Sequence, residues 1–408
     1  MTEAKNDVRV PTEETAEETS TLQDLEEDLQ ESFTEPSKKR PIVGLISAKN
    51  PVMAIVTTVE SLFAGGAYRV VVVDDGSDEQ EALEAFDEVE RRGGTVIHLP
   101  ENIGKSRALR IGFEHLESTE PGPFSVAQVD DDTIANDMSI PAKMIDDGKA
   151  DIVDIRVESL NTTAFIGALQ QLNYWLTNAI IKRLQDWVRA RLWLSGASVM
   201  YTSEAARVML MMKSLTQTED TEGRFRAVSA GLRVRYCASK KAQFLTMVPE
   251  SFTGMTKQWK RWALGNAQVI RLHGLGGGSA WIAFIHVLSW IFMLTGPFMQ
   301  LFIGDRLHLP YAEIVPGDEV VQEVPYVGNL LSAMVWMVLF GTLIGIIGGI
   351  SLRRFRLAFI GWLMPVLGLY WAYHAVRGLV VSIKHPLAES MTWEPPKRMD
   401  SKKLTEAA

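Results

Sequence analysis

From residue 41 to about residue 129 the chain alternates between short apolar runs and stretches with helical spacing. The runs at 42–46, 70–73, 95–99 and 125–129 predict strands, and the stretches between them predict helices. Strands separated in this way predict a parallel sheet covered by helices on both faces, an α/β domain whose ligands bind at the carboxyl ends of the strands. Asp74-Asp75 and Asp130-Asp131-Asp132 each follow directly on such a run.

Between residues 161 and 193, Phe165, Leu169, Leu172, Leu176, Ile180, Leu184 and Trp187 recur every three or four positions, with Gln170, Asn173, Lys182, Arg183 and Arg189 on the other face. This predicts a long amphipathic helix or a broken pair, packed on the core or lying on a membrane surface. Beyond Gly276-Gly277-Gly278, the stretches 281–303 and 326–350 are each long enough to cross a bilayer, which takes ~20 apolar residues. A third apolar stretch, 357–383, is interrupted by Pro365, Gly368, His374 and Arg377.

Five acids and only Arg306 lie between the first two stretches, whereas Arg353, Arg354 and Arg356 precede the third. The bias of basic loops towards the cytoplasm then places the catalytic part and the arginine loop there. Three simple spans would put Lys397, Arg398, Lys402 and Lys403 outside, so a kinked, re-entrant or hairpin path is expected for the third stretch. The expected organisation is an acidic tail at 1–40, a cytosolic domain with interfacial helices at 41–275, a membrane region at 276–385 and a cytosolic tail at 386–408.

Charge adds one exclusion. Residues 1–40 hold twelve acids and five bases and so carry most of the net charge of −9. That composition predicts disorder, and the first 40 residues contain no apolar run of the kind a signal peptide needs. The near-neutral remainder argues against nucleic acid as a partner, which would call for a basic stripe. Cys237 is the only cysteine, so no intrachain disulfide forms and a reducing, cytosolic setting is expected.

Several short motifs carry candidate chemistry. Asp74-Asp75-Gly76-Ser77 reads as a sharp turn whose carboxylates could accept from a nucleobase N–H or a ribose hydroxyl, or as an ordinary Asp-Gly loop. Asn102-Ile103-Gly104-Lys105-Ser106 is not a P-loop, because Leu99 stands where its first glycine is required. Lys105 nonetheless stands at an expected helix start, where a cation and backbone N–H groups could meet a uracil or phosphate oxygen. Three consecutive carboxylates at Asp130–Asp132 repel one another unless a cation joins them, and Mg²⁺ or Mn²⁺ bridging to a diphosphate would supply it. An exposed acidic turn is the alternative. Thr218-Glu219-Asp220 offers a general base for an acceptor hydroxyl, or a helix cap. In Gln258-Trp259-Lys260-Arg261-Trp262, helical spacing places Gln258, Arg261 and Trp262 on one face, suited to a diphosphate and a sugar ring or to anchoring at a bilayer.

Taken in order, Asp74-Asp75-Gly76-Ser77, Asn102-x-Gly104-Lys105, Asp130-x-Asp132, Ser195-Gly196-Ala197-Ser198, Thr218-Glu219-Asp220 and Gln258-x-x-Arg261-Trp262 resemble the family 2 processive glycosyltransferases over residues 41–262. Asp130-Asp131-Asp132-Thr133 looks most like the hyaluronan synthases and their cellulose-synthase and poly-N-acetylglucosamine-synthase relatives. The resemblance implies a nucleotide-diphospho-sugar transferase domain of GT-A type with a mostly parallel sheet, followed by C-terminal transmembrane helices. It also implies a UDP-sugar donor, Mg²⁺ or Mn²⁺, and direct inversion at the anomeric carbon.

Residue by residue, it implies that Asp74, Asp75 and Lys105 contact the uridine, and that Asp130 and Asp132 hold metal and diphosphate. Gln258 and Arg261 would bind diphosphate, Asp220 would be the catalytic base, and Ser195, Gly196, Glu219 and Trp262 would face the acceptor. The chain departs from the family in its acidic tail, where N-terminal spans are usual, and in Gly196-Ala197, where hyaluronan synthases have Gly-Pro. The expected protein lies in the plasma membrane with its catalytic domain in the cytoplasm. It is a processive polysaccharide synthase, or else a transferase acting on a lipid carrier or other membrane acceptor. Its partners would be the UDP-sugar, the growing polysaccharide or lipid-linked acceptor, and membrane lipid, with a homo-oligomer left open.

Overall fold

The structure, a computed structural model, describes residues 39–160, 163–187, 195–211, 215–273 and 325–384. Residues 1–38 of the acidic tail, the first expected span at 281–303 and the C-terminal tail lie outside the described residues.

The alternating pattern folds as an α/β domain. β1 (Ile42–Ala48), α1 (Ala54–Ala64), β2 (Arg69–Asp74), α2 (Gln80–Arg91), β3 (Thr95–His98), α3 (Lys105–Thr119) and β4 (Ser125–Val129) follow one another, and all pairings among these strands are parallel. The order β3-β2-β1-β4 reverses direction at β1, so the crevice between β1 and β4 is a topological switch point, open at the carboxyl edge. β1 and β2 are apolar on both faces because both are covered. Val70 and Val72 pack under α1 and α2, while Val71 and Val73 pack under Leu109 and Phe113 of α3.

Beyond β4, the short β5 (Thr133–Ile134), α4 (Ser139–Asp146), β6 (Ile152–Ile155) and β7 (Val157–Ser159) lead to α5 (Phe165–Leu176). A π-helical turn at Thr177–Ile181 links α5 to α6 (Lys182–Trp187). β8 (Val199–Thr202) inserts antiparallel between β4 and β6, and β9 (Val234–Cys237) completes the sheet in parallel on β6. The sheet is therefore mostly parallel. A second, three-stranded sheet pairs β5, β10 (Phe244–Thr246) and β7, and it fixes the chain just after the Asp130–Asp132 run.

Between β8 and β10 lies α7 (Glu219–Ser229), and after β10 comes α8 (Phe252–His273). The second expected span is α9 (Pro325–Ser351). The third stretch turns before Pro365 and then runs as one helix through Gly368, His374 and Arg377. It forms 3-10 turns at Phe355–Phe359 and Gly361–Leu363, then α10 (Met364–Lys384). The helical run Gly361–Lys384, 24 residues with mean hydropathy 1.3, is the one among the described residues long and apolar enough to cross a membrane.

α10 runs beside α8 in the same direction. Thr256 and Tyr370 hydroxyls lie 2.8 Å apart, the Trp259 and Trp371 rings meet edge-on at 5.3 Å, and Arg271 donates to the Ser382 carbonyl. The helix that carries Arg261 is thus packed directly on the apolar C-terminal helix.

The 161–193 stretch divides its roles. Leu169, Leu172 and Trp175 of α5 are buried against Met255, Trp259 and Ile344, and the Trp175 Nε1 donates to Ser351 Oγ of α9 at 2.9 Å. From Thr177 onward the expected polarity is inverted. Asn178, Lys182 and Gln185 are 2–4% exposed, whereas Ile180, Leu184 and Trp187 are 38%, 57% and 80% exposed.

Candidate active site at the carboxyl edge of the sheet

The turn after β2 is built by its own polar groups. Asp74 Oδ1 accepts the Ser77 N–H at 2.8 Å, and Asp74 Oδ2 lies 2.8 Å from His98 Nδ1. Gly76 adopts φ +70°, and a Cβ there would meet the Glu101–Asn102 backbone at 2.4–2.7 Å, so only glycine lets the two loops touch. Lys49 donates to the Gly76 carbonyl, and the Asn50 N–H donates to Ser77 Oγ at 2.8 Å. Asp75 accepts from the Ile103 and Gly104 N–H groups at 2.7 and 3.0 Å. Burial pushes the Asp75 carboxyl up, against these two hydrogen bonds. Asp74 and Asp75 therefore brace the crevice wall and deliver the next loop to it.

That loop starts α3 at Lys105, whose side chain crosses the crevice. Its ammonium pairs with Asp130 Oδ1 and stands 3.7 Å from Glu219 Oε1. Burial opposes the charge on Lys105, but Asp130, Glu219 and Asp220 outweigh it and hold the ammonium protonated. The family resemblance implies that Lys105 contacts the uridine; in the structure it stands between the strand-end carboxylates and α7.

Within the acidic run, Asp131 is buried, with its carbonyl accepting from Thr58 Oγ1 at 3.1 Å, while Asp130 and Asp132 are half-buried. Asp132 Oδ1 accepts from Thr246 Oγ1 of β10 at 3.3 Å. Asp130 and Asp132 act together on Tyr174 of α5, whose phenol is pushed up by burial and then by these two carboxylates, against Arg261. Four side chains from three regions of the chain thus share one space. Tyr174 is a member that the motifs do not name. Its signal in the sequence is a four-residue spacing of polar groups at Gln170, Tyr174, Asn178 and Lys182, which marks an inward-facing stripe.

Asp220, in the first turn of α7, accepts the Thr221 N–H on Oδ1 at 2.7 Å and the Gly196 N–H on Oδ2 at 2.9 Å. Burial and then Glu219 push its carboxyl up to about 6, with Lys105 and Arg261 opposing. A Cβ on residue 196 would stand 2.9 Å from Asp220 Oδ2, so glycine is what allows the Ser195–Ser198 turn to reach this carboxylate. Ser195 itself is held through its N–H by Asp154 at 3.2 Å.

On α8, Arg261 faces the same group of charges, whereas Trp262 lies 6.5 Å from Trp371 of α10 and belongs to the aromatic seam between the two helices. Gln258 has an enclosed Oε1 with no hydrogen-bond partner among the described residues.

Chemically, the cluster joins two cations, several carboxylates and one carboxyl poised near neutrality. That set suits stabilisation of an anionic leaving group beside a proton acceptor. Among the described residues no three His, Cys, Asp or Glu side chains are close enough to cage a metal alone. Asp130 and Asp132 still fit Mg²⁺ or Mn²⁺, which is commonly held by one or two carboxylates together with water and substrate phosphates.

The family described as glycosyltransferase like family 2 matches residues 45–265. A poly-beta-1,6-N-acetyl-D-glucosamine synthase of Staphylococcus aureus (strain COL) is 27% identical over 205 residues, covering 49% of this chain and 48% of that protein. The Staphylococcus epidermidis protein of the same name is 25% identical over the same length. The chain spans about half the length of these curated relatives.

Among solved structures, S. aureus TarS 1-349 in complex with UDP-GlcNAc is 14% identical with a TM-score of 0.38, covering 80% of this chain and 92% of TarS 1-349. Glucosyl-3-phosphoglycerate synthase from Mycobacterium tuberculosis, with Mn²⁺, UDP-glucose and phosphoglyceric acid, is 14% identical with a TM-score of 0.39, covering 57% and 79%. With more than half of its 408 residues matched, an α/β fold with a mostly parallel sheet, and this cluster at the carboxyl edge, the chain belongs to glycosyltransferase family 2 and is a glycosyltransferase of GT-A-like fold.

Proposed function

We propose that the chain transfers sugar from a UDP-sugar at a membrane surface, with inversion, and extends a polysaccharide, using Asp220 as general base. The observation that carries this reading is the meeting of Lys105, Asp130, Glu219, Asp220 and Arg261, drawn from separate elements, at the carboxyl edge of the sheet. The named relatives, two poly-N-acetylglucosamine synthases, support the polysaccharide as product.

In this mechanism Asp74 and Asp75 form the nucleoside end of the crevice. Asp130 and Asp132 would hold Mg²⁺ or Mn²⁺, whose charge would offset that developing on the departing diphosphate. Lys105 and Arg261 add positive charge at the same place, with Gln258 beside them. Asp220 takes the proton of the acceptor hydroxyl as its oxygen attacks the anomeric carbon. Ser195, Gly196, Glu219 and Trp262 border the acceptor.

A base with this raised carboxyl loses function when protonated. Below pH ~6 Asp220 carries the proton and cannot accept another, so kcat/KM should climb as pH rises through about 6. A pH profile flat from 5 to 8 would be incompatible with the assignment.

Membrane residence is supported by the 24-residue apolar helix and by the exposed apolar residues of α9 and α10, such as Leu343, Ile350, Val380 and Ile383. The inverted segment from Thr177 to Trp187 adds a surface with apolar groups outward and Arg183 beside them, as at a lipid interface. The chain should remain with membranes after alkaline carbonate washing; recovery in the soluble fraction would count against residence.

Membranes carrying the full chain, incubated with labelled UDP-sugars and Mn²⁺, should yield a long polymer and UDP. A product of one added sugar on a mild-acid-labile lipid would favour the lipid-carrier alternative. Absence of transfer from every UDP-sugar would sink the reading.

A further inference from the structure

The candidate base is approached by a backbone turn that buried side chains hold from behind. Gly196 donates its N–H to Asp220 Oδ2 at 2.9 Å, while its carbonyl accepts from Gln128 Nε2 at 3.3 Å. Gln128 lies on β4, two residues before Asp130, and its Oε1 accepts from the Tyr201 hydroxyl of β8 at 2.7 Å. Both side chains are enclosed: Gln128 is 3% exposed and Tyr201 fully buried.

The pair is costly to keep inside the sheet. A buried amide and a buried phenol each need a partner, and a hydrophobic pair of the same shape would fill the space without that demand. Here the amide spans the two, receiving from the phenol on one side and giving to the turn on the other.

We propose that Gln128 and Tyr201 are positioning residues for the transfer reaction, holding the Gly196 carbonyl and so restricting the backbone rotation that would turn the Gly196 N–H away from the Asp220 carboxylate. This inference rests on Asp220 being the general base. The turn has a second brace, since Asp154 Oδ1 accepts the Ser195 N–H at 3.2 Å and Asp154 pairs with Lys182 at 2.6 Å. Ser198 adds its hydroxyl on the Ile155 carbonyl at 2.9 Å. Those contacts fix where the turn lies. The Gln128 contact holds the 196–197 peptide and the Asp220 contact the 195–196 peptide, so the two together limit rotation about the φ and ψ of Gly196, a residue whose backbone is otherwise the freest.

The consequence is electrostatic as well as geometric. A donated N–H favours the ionised carboxylate, so weakening it moves the titration of Asp220 upward. The other charged groups facing Asp220 are Glu219 on its own helix, Lys105 at the start of α3 and Arg261 on α8. None of these touches Gln128 or Tyr201 through a described hydrogen bond, so a change at the buried pair leaves their charges in place.

The test is the double variant Gln128→Met/Tyr201→Phe, which removes both polar groups together and strands neither. Its thermal midpoint and KM for the UDP-sugar should stay near those of the parent chain. Its kcat should fall roughly tenfold, and the acidic limb of the pH profile should move from about 6 towards about 7, as expected for loss of one hydrogen bond to a charged group.

A folded double variant with the parent's kcat and acidic limb would overturn the proposal. If the double variant does not fold, Tyr201→Phe alone decides it: an upward move of the limb supports the proposal and an unmoved limb overturns it. Asp220→Asn, assayed alongside, separates the two readings. If it remains active, the assignment of the base itself has failed; if it is inactive while the double variant behaves as the parent, only the positioning role has failed.

Discussion

Replacing Asp220 by asparagine should lower kcat by about a thousandfold, within the range of ~10²–10⁴ usual for removing a general base. The change keeps shape but only one of the two acceptor oxygens that take the Thr221 and Gly196 N–H groups, so one of these hydrogen bonds is lost, while Asp154 and Ser198 still hold the turn at 195–198. It also removes a carboxylate that the fold disfavours. The raised titration of Asp220 means that its ionised form is less stable in the folded chain than in the unfolded one, so at pH 7 the charge costs stability. Relief of the buried charge and loss of one hydrogen bond oppose each other, so Asp220→Asn should leave the thermal midpoint near that of the parent while UDP-sugar affinity persists. Loss of function at near-parental stability is the signature of a catalytic group; a parallel loss of both would mark Asp220 as a structural cap.

The second large effect is expected at Asp132. Asp132→Ala should reduce Mn²⁺-supported transfer by on the order of 10²–10³, comparable with removing one group that stabilises transition-state charge. Asp132 is half-buried and accepts from Thr246 at 3.3 Å, so the thermal midpoint of the variant is measured beside its activity. Asp130→Ala differs in kind, because it also takes a partner from Lys105 and leaves that ammonium facing Glu219 and Asp220. Titrating Mn²⁺ against activity separates the two: Asp132→Ala should demand more metal, and an unchanged metal requirement would remove Asp132 from the metal site.

Much of this site is legible in the sequence, for a local reason. A strand needs only a short apolar run and a helix only a three-to-four-residue spacing, so β1 to β4 and their helices can be read along the chain. Acidic residues placed right after those runs must then stand at the carboxyl edge. Pro365 is readable as a helix start, because it has no N–H to give to a preceding turn, and α10 begins one residue before it.

Other features have no local signature. Lys105 follows a glycine at a helix start and looks like a nucleotide contact, yet its partners Asp130 and Glu219 come from distant parts of the chain. The spacing from 165 to 187 gives one continuous amphipathic face, whereas the π-helical turn and the buried Lys182–Asp154 pair turn its second half round. A charge that far from water needs its partner, and only tertiary packing brings that partner within reach.

By itself, the sequence determined the alternation of strands and helices, the strand-end placement of Asp74-Asp75 and Asp130–Asp132, and the apolar character of the C-terminal helices, since all of these depend on neighbours a few residues away. Tertiary structure alone decided that β8 enters antiparallel beside β4, and so sets Tyr201 against Gln128. It also brought Gly196 to Asp220, joined Lys105 to two acidic motifs, and turned Lys182 inward and Trp187 outward. Those choices rest on burial and on pairing between residues far apart in the chain, which no local pattern records.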